Sequence, residues 1–170
     1  SMLVINRDFE IPPGADNRRI DAVVDRFPKG SRLLAISPHM HLRGKSFRFN
    51  VRQGDKSRIL LDVPHYDFNW QHIYALETPL ELKDGISIHC TGHFDNSENN
   101  LVNPDPSAVV RWGDQTWEEM MLGFMEISVP RNLKKPGEVF QDRPLTGKEE
   151  TEAVTAARDL VKRFDKNGDG

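Results

Sequence analysis

Two histidines separated by one residue are the first side chains of this sequence that could do chemistry together. His39 and His41 lie in the stretch "SPHMHLRGKSF", which has the pattern of a strand next to a turn. Residues i and i+2 of a strand point to the same face, so both imidazoles would present nitrogens within a few ångströms of each other. Neutral imidazole is a good ligand for copper or zinc. The pair therefore predicts a metal site, and the alternative is a pair of surface or hydrogen-bonded histidines beside a turn.

The remaining candidate ligands give weaker signals. Four further histidines are scattered along the chain: His65, His72, His89 and His93. His89 and His93 would share one face of their strand, but a lone histidine is more often hydrogen-bonded than bound to a metal. The single cysteine, Cys90, excludes an internal disulfide and a zinc cluster built from two or more thiolates.

Composition limits the classes of protein to consider. The chain has 170 residues, of which 37% are hydrophobic and 29% are charged, as in ordinary globular proteins. Its net charge is −3 and no basic stripe is present, which argues against a nucleic-acid partner. No apolar run approaches the length that spans a bilayer, so no membrane span is expected in this stretch of chain.

Short alternating runs separated by turn residues predict a β-sandwich over residues 8–130. The clearest run is "SFRFNVRQGDKSRILLDV", a predicted hairpin around "QGDK". Its inward residues are predicted to be Phe47, Phe49, Val51, Ile59, Leu61 and Val63. In a later strand, Ile86, Ile88 and Cys90 are expected on one face.

The run "EEMMLGFMEISV" predicts a central strand that is buried on both sides and ends before Pro130. Strand alternation groups Met120 with Leu122 and Phe124, and puts Met121 and Met125 on the opposite face. Alternation alone does not say which of these faces meets the histidines.

Beyond residue 130 the pattern changes. Residues 131–145 are predicted to be a polar linker, and residues 146–170 a helix that opens with a capping box. The final "FDKNGDG" matches the first half of an EF-hand calcium loop, so we expect a piece of a longer protein with no tight calcium site here. The expected fold is all-β: an antiparallel jelly-roll β-sandwich with a short C-terminal helical tail.

The ordered motifs resemble the second domain of the copper type II, ascorbate-dependent monooxygenases. The segment "IPPG" at residues 11–14 precedes "HMHLRGK" at residues 39–45, as in that family. The segment "HYDFNWQHIYALETPLELKDGISIHC" and then "EEMMLGFM" follow in the family's order. The likeness covers roughly residues 8–130, and its polar loop before the methionine strand is similar to the bacterial relatives of this domain.

The resemblance implies that His39, His41 and Met120 bind one copper ion. Two imidazoles and one thioether suit a metal that cycles between Cu(I) and Cu(II), because soft sulfur favours the reduced ion. In the family this centre activates dioxygen and hydroxylates a substrate C–H bond with an external reductant such as ascorbate. Five further residues are expected to orient the ligands or line a substrate cleft: His93, Tyr66, Trp70, Gln71 and His72.

The sequence departs from the family in two ways. No electron-donating copper domain precedes residue 8, so an electron donor elsewhere in the full chain or on a partner is expected. The family's cysteine that pairs with the counterpart of Cys90 is replaced by Met121, so that disulfide is lost.

Three functions stay open at this stage. The first is a copper monooxygenase domain acting on a small-molecule or peptide substrate. The second is a non-catalytic copper-binding or electron-transfer module, and the third is a jelly-roll binding module without metal chemistry. The family's habits point to an extracytoplasmic (periplasmic or secreted) setting.

Overall fold

A computed structural model describes residues 1–131 of the chain, and these residues contain ten strands. The strands are β1 (Met2–Asn6), β2 (Glu10–Ile11), β3 (Arg18–Val24), β4 (Arg32–His39), β5 (Gly44–Gln53), β6 (Lys56–Val63), β7 (Tyr74–Glu81), β8 (Ile86–Phe94), β9 (Val110–Arg111) and β10 (Met121–Ser128).

The long strands form two four-stranded antiparallel sheets. The first sheet has the order β1-β10-β4-β7 and the second has the order β3-β8-β5-β6, while β2 and β9 make a short separate pair. The predicted all-β, antiparallel fold is thereby confirmed, and the jelly-roll connectivity stays a prediction. Within the described residues there is no helix with the length and apolarity needed to cross a bilayer.

Apolar side chains from both sheets pack into one shared core. The first sheet contributes Leu33, Ile36, Met121 and Met125, and the second contributes Phe47, Phe49, Ile88 and Cys90. Each of these side chains is almost fully buried, and burying one large apolar side chain contributes about 1.5–3 kcal/mol. The core therefore fixes which face of each strand is left for other tasks.

The predicted hairpin forms between β5 and β6, with Gly54 in the turn at a φ of 55°. The expectation for Ile59 differs from the structure. A register shift between Phe49 and Asn50 sets Ile59 opposite Asn50, and its side chain is 50% exposed on the outer face. A β-bulge of this kind exchanges the two faces of a strand, which alternation alone does not predict.

A second irregularity sets the direction of the histidines. The ladder from β10 to β4 passes from Ala35 to Leu33 and so leaves Leu34 as an extra residue. Beyond this bulge, Ile36 and Met40 face the core, so the alternate positions His39 and His41 face outward from the first sheet.

Several sequence predictions fall beyond the described part of the chain. They are the linker from residue 132 onward, the helix within residues 146–170 and the half calcium loop.

Candidate metal centre

The pairing of β10 with β4 brings one methionine to the face that carries the histidines. Leu122 lies opposite His39 in the ladder, and the neighbouring Phe124 has its ring centre 6.1 Å from that of His39. Met120 directly precedes β10 and is buried, and alternation continued by one residue puts it on the face of Leu122. Met121 and Met125 point the other way, into the core. The structure thus shows which of the two faces separated by alternation meets the histidines: it is the face of Leu122 and Phe124.

The two imidazole rings are adjacent and buried. Their ring centres are 5.2 Å apart and their planes make an angle of 88°. His39 is 9% exposed and His41 is 4% exposed. Phe68, in the loop before β7, covers His41 with a ring-centre distance of 6.0 Å. Two imidazoles at this separation are close enough to share one ion with metal–nitrogen bonds of about 2 Å.

A chain of hydrogen bonds fixes the tautomer of His39. The side-chain amide of Gln71 donates from Nε2 to the carbonyl oxygen of Phe68 at 2.7 Å, so its Oε1 faces His39 Nδ1, 2.6 Å away. An amide oxygen only accepts, and Nδ1 must therefore carry the proton. The other nitrogen of His39, Nε2, then holds a lone pair.

That lone pair has no partner in the described structure. His39 Nε2 is a buried polar atom without a hydrogen bond. Leaving a buried polar group unpaired costs about 1–3 kcal/mol, so such an atom calls for an explanation. His41 is held in the same manner, because its Nδ1 lies 3.2 Å from the carbonyl oxygen of Glu118. A histidine that donates one N–H to an acceptor and offers the other nitrogen is typical of metal ligation.

Both histidines favour the neutral form that a metal requires. Burial lowers the pKa of His39 to about 4, with a smaller contribution from the nearby His41. Burial also lowers the pKa of His41. At neutral pH the two rings are therefore uncharged and their lone pairs are available.

Tyr66 holds the backbone between the two histidines. Its hydroxyl accepts from the Met40 N–H at 2.9 Å and donates to the Met40 carbonyl at 2.7 Å. The position of Tyr66 explains why residue 44 of the motif is glycine. A Cβ there would lie 2.7 Å from the Tyr66 ring and 2.8 Å from Met40 Cβ. Only a residue without a side chain lets Tyr66 approach the strand this closely.

Glu119 links the histidine strand to the methionine. Its carboxylate accepts from the backbone N–H of His41 at 2.8 Å and from that of Arg43 at 2.6 Å. The side chain is completely buried and directly precedes Met120. Burial raises the pKa of Glu119 to about 7, although both backbone donors and the Arg43 charge favour the carboxylate. One side chain therefore ties together the two segments that carry the candidate ligands.

Arg43 extends this buried network away from the histidines. Its guanidinium donates to Asn96 Oδ1 and to the Trp117 carbonyl, each at 2.7 Å. Asn96 in turn donates to the carbonyl of Pro12, in the "IPPG" segment, at 2.9 Å. The sequence analysis missed Arg43, Asn96 and Glu119. The only signal available was the presence of charged residues immediately beside the candidate ligands.

The other residues predicted near the site are divided by the structure. Gln71 and Tyr66 contact the histidine strand, as described above. Trp70 is 68% exposed, and its ring centre lies 4.4 Å from that of His72 rather than against the histidine pair. His93 lies on the outer face of the second sheet, where its Nδ1 is 3.1 Å from Ser46 Oγ. It is not brought to the histidine pair.

The donor set itself discriminates between metals. Among residues 1–131, no three or more His, Cys, Asp or Glu side chains converge on a point that could hold a metal ion. Two imidazoles supplemented by a thioether are a softer set than zinc or magnesium sites use, and they match copper, the ion that accepts sulfur in its reduced form. The residues present therefore fit a copper ion.

These features define an antiparallel β-sandwich with a buried histidine pair and a methionine on one outer face. The chain belongs to the copper type II ascorbate-dependent monooxygenase family: residues 3–126 match that family's C-terminal domain.

Two curated relatives are DBH-like monooxygenase protein 1 from Mus musculus and its namesake from Gallus gallus. The mouse protein is 27% identical over 100 residues, which is 58% of this chain and 15% of the relative. The chicken protein is 25% identical over 100 residues, again 58% of this chain and 15% of the relative. The chain thus spans only a small part of the length of these relatives.

Proposed function

We propose that His39, His41 and Met120 bind a single copper ion and that this domain serves a monooxygenase reaction. The observation that carries the proposal is the buried, unpartnered Nε2 of His39, whose lone pair is set by Gln71. A buried neutral nitrogen without a hydrogen-bond donor is stabilised when its lone pair binds a metal ion. Met120 directly precedes β10, and continued alternation with Leu122, which lies opposite His39, supports it as the sulfur ligand that would favour Cu(I).

Bound copper would supply the activation of dioxygen for hydroxylation of a substrate C–H bond. In such a reaction one oxygen atom enters the C–H bond, and the other leaves as water after taking up two protons and two electrons from the reductant and solvent. The protein's own contribution is to hold two neutral imidazoles in fixed tautomers and to keep their nitrogens away from water. Gln71 and the Glu118 carbonyl face the ring nitrogens, while Tyr66 and Glu119 hold the backbone that carries the rings.

The reductant, donor and setting are part of the same proposal. The family description names ascorbate dependence, which favours ascorbate as the external reductant. We expect an electron-donor domain or protein as a partner, a small-molecule or peptide substrate and an extracytoplasmic location. Trp70 and His72 form an exposed aromatic pair in the loop that covers the histidines, which supports a role for them in substrate contact.

Copper binding is tested by an anaerobic Cu(I) titration against a competing chelator. The wild type should bind one equivalent, and His41→Ala should abolish tight binding. Met120→Leu should weaken Cu(I) binding more than Cu(II) binding, because it removes the sulfur at nearly constant volume. Met125→Leu is the matched control, since this methionine lies in the core and should leave copper affinity unchanged.

X-ray absorption at the copper edge gives an independent reading of the ligands. A sulfur scatterer in wild type and Met125→Leu, absent in Met120→Leu, would support the proposed ligand set. Equal copper affinity in wild type and His41→Ala would contradict it and would favour a binding module without metal chemistry. Tight copper binding without oxygen consumption, with ascorbate and candidate substrates supplied, would favour a non-catalytic copper module.

A further inference from the structure

A polar cavity of about 510 Å³ opens on the outer face of the second sheet, away from the histidine pair. Strands β3, β5, β6 and β8 all contribute charged or hydrogen-bonding side chains to its lining, including Arg19, Arg48, Arg52, Asp62, His89 and His93. No Phe, Tyr or Trp of the described chain lines it. A ligand that needs a large aromatic side chain to stack on would therefore find none there.

In one half of this cavity the charged side chains already pair with other side chains of the protein. Arg19 pairs with Asp21 at 2.9 Å and Arg48 pairs with Asp62 at 2.9 Å. Thr91 completes this half by donating to Asp21 at 2.7 Å. These groups have partners within the protein and leave little capacity for a ligand.

The other half has unused hydrogen-bonding groups. Arg52, Asn50 and Ser57 line the cavity, and their side chains make no hydrogen bond or ion pair within residues 1–131. They are neighbours, because Arg52 lies opposite Ser57 on β6 while Asn50 lies opposite His89 on β8. His89 uses one ring nitrogen on Ser87 Oγ at 2.8 Å, which leaves its other nitrogen open.

Charge distinguishes this cavity from the rest of the chain. Its lining has three arginines against two aspartates, whereas the chain as a whole has a net charge of −3. Burial and the nearby Arg52 lower the pKa of His89, and burial and Arg19 lower that of His93, so the two rings add no charge at neutral pH. The unpaired charge is the guanidinium of Arg52.

We propose that this cavity binds a small monoanionic hydroxycarboxylate, with the carboxylate on Arg52 and the hydroxyl groups on Asn50, Ser57 and His89. The planar guanidinium fork matches a carboxylate with two parallel hydrogen bonds. The neutral amide, hydroxyl and imidazole groups can each donate to or accept from ligand hydroxyls. A single unpaired positive charge suits one carboxylate better than a phosphate, which carries about −1.5 to −2 at pH 7. This site is independent of copper.

The test is a nuclear magnetic resonance titration of the metal-free protein with gluconate, which has one carboxylate and several hydroxyl groups. Acetate supplies the carboxylate alone, sorbitol supplies hydroxyls alone, and phosphate supplies a different oxyanion, all at equal ionic strength. We expect saturable shifts of the Asn50, Ser57 and His89 signals with gluconate. Acetate and sorbitol should bind at least about tenfold more weakly, because each loses one set of hydrogen bonds.

Two arginine variants on the same sheet separate a built site from general electrostatics. Arg52→Gln should weaken gluconate binding about tenfold or more, since it removes a charged hydrogen-bond partner. Arg58→Gln removes the same charge from an exposed β6 residue that does not line the cavity, and it should leave the affinity unchanged. Both positions are exposed, so neither variant should unfold the protein.

Three results would overturn the proposal. Phosphate binding as tightly as gluconate would assign the cavity to a general oxyanion. Sorbitol binding as tightly would show that Arg52 takes no part. Equal weakening by the two arginine variants would reduce the effect to long-range charge. Copper is absent throughout, so each outcome is separable from failure of the copper proposal.

Discussion

The two outer faces of the sandwich each carry a pair of histidines on one strand face, in opposite surroundings. On the first sheet, His39 and His41 are buried beneath a loop, and their Nδ1 atoms face an amide oxygen and a backbone carbonyl. On the second sheet, His89 and His93 line an open cavity, and each has a serine hydroxyl as its partner. Arginines line the cavity around the second pair, whereas the ring nitrogens of the first pair face Gln71 and the Glu118 carbonyl.

The comparison shows that strand spacing alone does not decide what a histidine pair does. In both pairs the two rings lie on the same face of the sheet. The pairs differ in the group that lies within hydrogen-bond distance of one ring nitrogen of each histidine. An acceptor that cannot donate fixes the proton and leaves a lone pair, whereas a hydroxyl can serve as donor or acceptor and fixes nothing. Burial then decides whether the lone pair is left for a metal or satisfied by water.

The largest effect is expected from removing the buried link beneath the first pair. Glu119→Ala deletes the acceptor of two buried backbone N–H groups, and it should lower the free energy of unfolding by about 3 kcal/mol, as measured by urea denaturation. Glu126→Ala, an exposed change on the strand that follows Glu119, should stay within about 0.5 kcal/mol of wild type. Similar losses for the two variants would contradict the role given to Glu119.

Much of this fold could be predicted from the sequence because alternation and turns are local signals. The β5–β6 hairpin and the inward face of β8 follow from residues next to each other in the chain. The bulges at Leu34 and Leu60 could not be predicted in this way, since an extra residue in one strand is fixed by its partner strands. Each bulge exchanged the inward and outward faces.

The site shows the same division. The spacing of His39 and His41 predicted that both rings lie on one face of a strand, and the family resemblance implied Met120 as the third ligand. The bonds that hold them span 32 residues from His39 to Gln71 and 78 residues from His41 to Glu119. Contacts between residues this far apart leave no periodic pattern. Arg43 and Glu119 therefore looked like ordinary charged residues of a loop.

The next effect concerns the acceptor that distinguishes the first pair. Gln71→Leu removes the oxygen that holds the His39 Nδ1 proton, and copper affinity should fall about 10–100-fold. Asn69→Leu is the control in the same loop, because among residues 1–131 its side chain hydrogen-bonds only to Asp67. Chelator competition on both variants measures the difference. Unchanged copper affinity in Gln71→Leu would mean that the amide does not set the tautomer.

A smaller effect is expected at the brace between the histidines. Tyr66→Phe deletes the hydroxyl that bonds both backbone groups of Met40, and it should cost about 1–2 kcal/mol of unfolding free energy. The chain has two tyrosines, which makes Tyr74→Phe the natural control. The Tyr74 hydroxyl has no hydrogen bond to another described residue, so its loss should be close to neutral. Equal effects would contradict the bracing role.

The smallest expected effect sharpens the description of the second pair. Burial is the main reason that the pKa of His89 lies below its usual value, and the charge of Arg52 lowers it further while Asp21 raises it. Arg52→Gln removes one positive neighbour and should therefore raise the His89 midpoint, and added salt should reduce this difference between the variant and the wild type.

Arg58→Gln should leave the His89 midpoint where it is, because Arg58 lies outside the cavity. The measurement is the pH titration of the histidine ring protons by nuclear magnetic resonance, with His89 assigned through its Gln variant. A midpoint that moves equally in both arginine variants would show that His89 senses the charge of the whole sheet and not a neighbouring guanidinium. The second pair would then differ from the first by exposure alone, and Arg52 would lose its place as the anion-binding group of the cavity.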